Sequence, residues 1–111
     1  MEKTIKIGNK NIKMRTSAAI PRLYRDNFNR DVFKDISVLY ENSDNITYDM
    51  FELIENFAYL LAKHAGEDMP DTVAELEQFE GLDVVNAAED ILGLWAQENA
   101  TKSEPKKAKG Q

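Results

Sequence analysis

Between Thr47 and Gly66 the apolar residues fall on two neighbouring helical stripes, and this segment constrains the fold more than any other. Phe51, Ile54, Ala58, Leu61, Ala62 and Ala65 form one stripe; Met50, Leu53, Phe57 and Leu60 form a second beside it. An apolar arc that wide predicts a central helix covered on more than one side. Thr47 followed by Asp49 supplies a start signal, Gly66 a residue suited to the helix end, and Met69-Pro70 a break. A chain of 111 residues has room for one domain, so the remaining elements must pack around this helix.

The N-terminal segment has a different period. Ile5 and Ile7 alternate with Lys6, and Ile12 and Met14 with Lys13, the pattern of half-buried strands. Gly8, Asn9, Lys10 and Asn11 supply the turn chemistry between them. With Asn9-Lys10 at the tip, Ile7 lies opposite Ile12 and Ile5 opposite Met14. A Gly8-Asn9 turn has better turn residues but sets Ile7 opposite Lys10, so the first register is the expected one. The four apolar side chains then share one face and Lys6 and Lys13 the other. An isolated hairpin is marginal in water, so its apolar face must lie on helices or on another chain.

Thr16 and Ser17 are candidate helix caps, and Pro21 fits only a first turn. A short helix through Leu23, Tyr24 and Phe28 is expected to end near Asn27 to Asn29. Asp31 can then open a second, with Val32, Phe33, Ile36, Leu39 and Tyr40 at helical spacing, followed by a loop at residues 42–45. Beyond Pro70, Asp71 or Thr72 caps a short segment carrying Val73, Leu76 and Phe79, which Gly81 interrupts. A last helix is expected from about Asp83 to Gln97, with Val84, Ala88, Ile91, Leu92 and Trp95 on its core face and Asn86, Glu89, Asp90 and Gln97 opposite. The predicted fold class is α+β, mostly α: a two-stranded hairpin followed by four or five helices. Residues 1–99 are expected to form the single domain, and residues 100–111 a disordered Lys-rich tail.

Charge is partitioned along the chain. Residues 1–30 hold eight basic and two acidic side chains, residues 31–100 two and seventeen, and residues 101–111 four and one, so a net of −6 conceals a strongly acidic body. The basic end offers a phosphate-contacting surface in principle, but the acidic body would repel a duplex from most of the rest. Nucleic acid is therefore the less favoured partner and an acidic protein the more favoured one.

Catalytic and metal chemistry find little support. Without cysteine there is no disulfide, thiolate nucleophile or sulfur-bound zinc, and one histidine makes no His-rich metal site. His64 falls in the last turn of the central helix, where the helix dipole favours a protonated ring, and it reads as a helix-end histidine. The five glycines stand too far apart for a phosphate loop. The acidic stretch from Glu67 to Asp71 lacks the Gly and terminal Glu of a calcium loop. No apolar run approaches the ~20 residues of a membrane span, and the N-terminus has no signal-peptide core. A soluble cytoplasmic binding protein is expected, without a cofactor, metal or small-molecule substrate.

The order of features goes further. A hairpin IKIGNKNIKMR is followed by IPRLYRDNFNRD, an acidic helix FELIENFAYLLAKHA, a PDTVAELEQF segment, a helix ending ILGLW, and a Lys-rich end. Over nearly its whole length the chain resembles the tail assembly chaperones of siphophages and prophages of Gram-positive bacteria. The most specific part is Pro21-Arg22-Leu23-Tyr24-Arg25, with Phe28 and then Arg30-Asp31. Where family members often have Gly before the Arg-Asp pair, this chain has Asn29, which also tolerates a left-handed turn. Many carry Trp where this chain has Val73 to Leu76.

The resemblance implies a non-enzymatic role. Such a chaperone keeps the tape measure protein soluble and helps the major tail protein polymerise around it; it acts in the host bacterial cytoplasm and is absent from the mature virion. In many phages a frameshift adds a C-terminal domain, and Lys106-Lys107 is compatible with a slippery codon run. The residues expected to contribute to partner binding are Lys6, Lys13, Arg22, Arg25 and Arg30. Self-association through a hairpin edge is open to such a fold. The alternatives are a small phage-encoded nucleic-acid-binding or regulatory protein, or a structural tail component.

Overall fold

The computed structural model describes residues 1–42, 44–45, 47–67, 76–77 and 79–97. The expected tail and the capped segment around Val73 lie outside the described residues, apart from Leu76, Glu77 and Phe79. The elements run β1 (Glu2–Ile7), β2 (Lys10–Arg15), α1 (Ile20–Phe28), α2 (Val32–Glu41), α3 (Tyr48–His64), α4 (Asp83–Asn86) and α5, helical over residues 88–97. This is the expected α+β arrangement, mostly α, with the hairpin first.

α3 is the centre. Thr47 Oγ1 accepts the Met50 amide at 3.3 Å to start it. At its other end Gly66 adopts φ 95°, the Glu67 amide reaches back to the Ala62 carbonyl, and the Gly66 amide bonds Lys63. That is a Schellman closure, made by the residue the sequence marks for it. Most of both expected stripes is used: Met50, Leu53, Ile54, Phe57, Ala58, Leu60, Leu61 and Ala62 are buried, while Phe51 and Ala65, the two ends of the first stripe, are only half-buried. The hairpin covers one side of α3, and α1, α2 and α4 cover others.

The hairpin's apolar face is as expected, but its register is not. Ile5 pairs with Ile12 and Ile7 with Lys10, so the turn is Gly8-Asn9 and not Asn9-Lys10. Gly8 sits at φ 60° in the first central position, the pattern of a type II′ turn. The two registers differ by two residues, so Ile5, Ile7, Ile12 and Met14 keep the same face and all pack inward. Ile7 gains its burial from the helices behind the sheet, so it does not need an apolar residue across the strand.

α1 begins without a side-chain cap. Neither Thr16 nor Ser17 is the N-cap; Ala19 is. The Ser17 hydroxyl accepts the Ala19 amide at 3.2 Å, while Thr16 is buried and extends the hairpin by pairing with Met1. α1 ends at Asn29, which takes a left-handed conformation (φ 56°, ψ 42°). Two residues later Asp31 caps α2, its Oδ1 accepting the Phe33 amide at 2.9 Å and the Lys34 amide at 3.4 Å.

The expected helix from Asp83 to Gln97 is interrupted at Ala87. Ala87 is a turn residue between α4 and α5, although its carbonyl still accepts the Ile91 amide at 3.1 Å. The core face is also rotated: Val84, Ala87, Ile91, Leu94 and Trp95 are buried, while Ala88 and Leu92 are only half-buried. An apolar set running 84, 85, 87, 88, 91, 92, 94, 95 is wider than one face, and the sequence does not say which half turns inward. Aromatic contacts tie the layers together. Phe57 meets Tyr24 at 6.3 Å and Trp95 at 5.7 Å, both edge-on, and Trp95 meets Phe33 at 5.9 Å.

Candidate docking site

The five basic residues expected to bind a partner fall on two surfaces. Lys6 and Lys13 lie on the outer face of the hairpin, Lys6 opposite Asn11 and Lys13 opposite Thr4. Lys13 Nζ stands 3.9 Å from Glu2, an exposed pair worth little in water. The Lys13 amide points away from β1 and donates to Glu67 Oε2 at 2.9 Å. The residue that closes α3 therefore occupies a donor on the free edge of β2, which hinders edge-to-edge pairing at that point.

Arg22, Arg25 and Arg30 are brought together around a groove between α1 and α2, with Pro21, Asn29, Phe33 and the two carboxylates Asp26 and Asp31 also lining it. No hairpin residue is among its described lining. The left-handed turn at Asn29 makes this geometry, folding α2 back so that Arg30 meets the first turn of α2. The three arginines are not equivalent. Arg30 forms a fork on Asp35, Nε to Oδ2 at 2.8 Å and Nη2 to Oδ1 at 3.0 Å. The Tyr24 hydroxyl donates to the same Oδ2 at 2.8 Å.

Asp35 is 4% exposed, so its carboxylate is a buried joint between α1 and α2, closed from the solvent side by the half-exposed Arg30. Burial and then the Asp35 hydrogen bond push the Tyr24 hydroxyl well above the ordinary phenol range. The Asp35 hydrogen bond and charge raise Arg30 further. Arg30 thus holds the groove in shape, whereas Arg22 and Arg25 carry no ion pair among the described residues. Phe33, 58% exposed, adds an aromatic face to the groove.

A second groove was not legible in the sequence as a surface. α2 contributes Leu39 and Tyr40, α3 contributes Met50 and Ile54, and the last two helices contribute Val85, Ala88, Glu89, Leu92 and Gly93. The periodicity assigns Leu39, Ala88 and Leu92 to the core. The signal that could have revealed the groove is the excess width of the apolar arc over residues 84–95.

His64 differs from its expected state. The ring's Nε2 lies 2.9 Å from Ser17 Oγ, pinning the link between β2 and α1 to the end of α3. Partial burial, then Arg15 and the N-terminal amine, lower its pKa, so the neutral ring is favoured over the protonated one. Among the described residues no carboxylate bonds the ring. The described residues hold no group of three or more His, Cys, Asp or Glu suited to a metal, and no helix long and apolar enough to cross a membrane. Every buried side-chain polar atom among them has a hydrogen-bond partner. Polar groups inside this domain are thus spent on holding it together. No family model matches the chain, and neither curated proteins nor solved structures give a significant match.

Proposed function

We propose that this protein is a non-enzymatic phage tail assembly chaperone, which binds and solubilises the tape measure protein and promotes polymerisation of the major tail protein. The reading rests on the resemblance centred on Pro21 to Asp31. One observation carries it further: that motif builds an open groove. Tyr24 and Arg30 lock α1 to α2 through Asp35, and the same geometry leaves Arg22, Arg25 and Phe33 facing solvent. Cationic groups beside an exposed aromatic ring suit a protein partner with acidic and apolar side chains. The acidic body supplies the charge that keeps a complex with an apolar client in solution.

The test is co-expression with the tape measure protein encoded by the same phage. Wild type should keep it soluble, and Arg22→Glu with Arg25→Glu should lose that effect while remaining folded. Arg30 is left intact because it is part of the joint. A tape measure protein that stays insoluble with wild type rejects the chaperone reading, and unchanged solubility with the double variant rejects the arginine groove as its docking site. DNA binding that weakens steeply with salt would favour the nucleic-acid alternative, and presence in purified virions the structural one.

A further inference from the structure

α5 and the residues before it carry two apolar faces, of which the core uses one. Val85, Ala88 and Leu92 form the other, at the spacing of a helical ridge, and look into the groove floored by Leu39, Met50 and Ile54. The floor is buried and the ridge half-buried, while Tyr40 stands at the lip 54% exposed. At Gly93 an added Cβ would meet nothing within 4 Å, so a second backbone can approach closely there. An apolar channel walled by α2, α3, α4 and α5 is a setting in which a further helix packs.

We propose that this groove docks a cationic amphipathic helix of another protein. Charge complementarity selects that occupant. The walls come from residues 39–54 and 85–93, and neither stretch contains a Lys or an Arg. Of the acids in these stretches Glu89, which is exposed, lines the groove, and no Lys or Arg is among the groove's described lining. An acidic helix or an anionic membrane surface is repelled by such a rim, whereas Lys or Arg flanking an apolar stripe is attracted.

Among the described residues no helix of this chain offers that face. Among its described helices α1 is the basic one, and its Ile20 and Tyr24 are already buried. The Lys-rich stretch 102–109 supplies charge but, Pro105 aside, only Ala108 as an apolar residue. Neither is a free cationic amphipathic stripe, which points to a different protein as the occupant. The inference deepens the protein-binding reading and rests on it, adding a second docking surface of opposite charge to the arginine groove.

The test titrates the full-length protein with a synthetic Leu/Lys amphipathic helix, its Leu/Glu counterpart, and a scrambled Leu/Lys peptide without a stripe. The Leu/Lys helix should bind, with affinity falling as salt rises, and at least about tenfold more tightly than either control. Gly93→Gln fills the open space and removes a helix-interior glycine, so it should leave the fold intact. Combined with Glu89→Lys it should weaken binding at least about tenfold, while Lys34→Gln, exposed in the first turn of α2 and in neither groove, should leave binding within about twofold of wild type. Equal binding of all three peptides, or indifference to the groove variants, overturns the assignment. A dimer of the free protein that Gly93→Gln abolishes also overturns it, by giving the groove to a second copy. A groove that fails these tests while wild type still solubilises the tape measure protein leaves the chaperone reading standing. Peptide binding through the groove without that solubilisation defeats the chaperone reading alone.

Discussion

Arg30 closes a two-bond fork on Asp35, a carboxylate five residues further along the chain that is almost wholly buried beneath Tyr24. Removing one member of such a cluster costs more than the net worth of the bonds, because the others lose their partner. Asp35→Ala should therefore destabilise the domain by about 3 kcal/mol, and Tyr24→Phe by only about 1 kcal/mol, since the carboxylate keeps Arg30. Urea denaturation measures both, and a cost for Asp35→Ala within about 0.5 kcal/mol of zero would dismiss the joint.

Gly8 is required twice over. Its positive φ disfavours any side chain, and a Cβ would stand 2.9 Å from Asp83 Cγ and closer still to Oδ2. Asp83 cannot simply withdraw, because its Oδ2 accepts the Glu80 amide at 3.0 Å. Gly8→Ala should cost about 2 kcal/mol, combining the left-handed strain and the overlap. Adding Asp83→Ala should recover the overlap share, so the two changes should be non-additive in a double-mutant cycle.

His64 sets a pH dependence whose sign follows from its lowered pKa. The unfolded chain takes up the proton first, so stability is full above the ordinary value of 6.5 and falls as pH drops from there toward the lowered folded-state value. Below both values the loss levels off. His64→Gln, which keeps a polar partner for Ser17, should flatten the slope of melting temperature as pH falls below the ordinary value of 6.5. A slope identical to wild type would show that other groups carry the dependence.

Much of the framework was legible because it depends on local chemistry. Thr47, Gly66, Asn29 and Asp31 act where they stand, satisfying amides or accepting a backbone conformation within four residues of themselves. Lys6 and Lys13 fall on the outer hairpin face whichever register is chosen, because a two-residue slip preserves the alternation. Of the site, the sequence marked Arg22, Arg25 and Arg30, and the fold brings all three to one groove. It did not separate the structural arginine from the other two. Asp35 reads as an ordinary acid in a helical first turn until the packing of α1 places Tyr24 and Arg30 over it.

Among the described residues the sequence alone therefore determined which segments are strand and which helical, where several of them stop, and which strand faces turn inward, since each follows from periodicity or from a neighbour's hydrogen bond. Only the tertiary structure decided the hairpin register, the interruption at Ala87, the half of α5 that enters the core and the groove left by the other half. Those choices depend on contacts between segments far apart in the chain. Asp83 lies on the Gly8 turn, and the core-facing half of α5 is the one whose Trp95 meets Phe57 of α3. Periodicity sets the width of an apolar arc, but burial of part of that arc is a property of what packs against it.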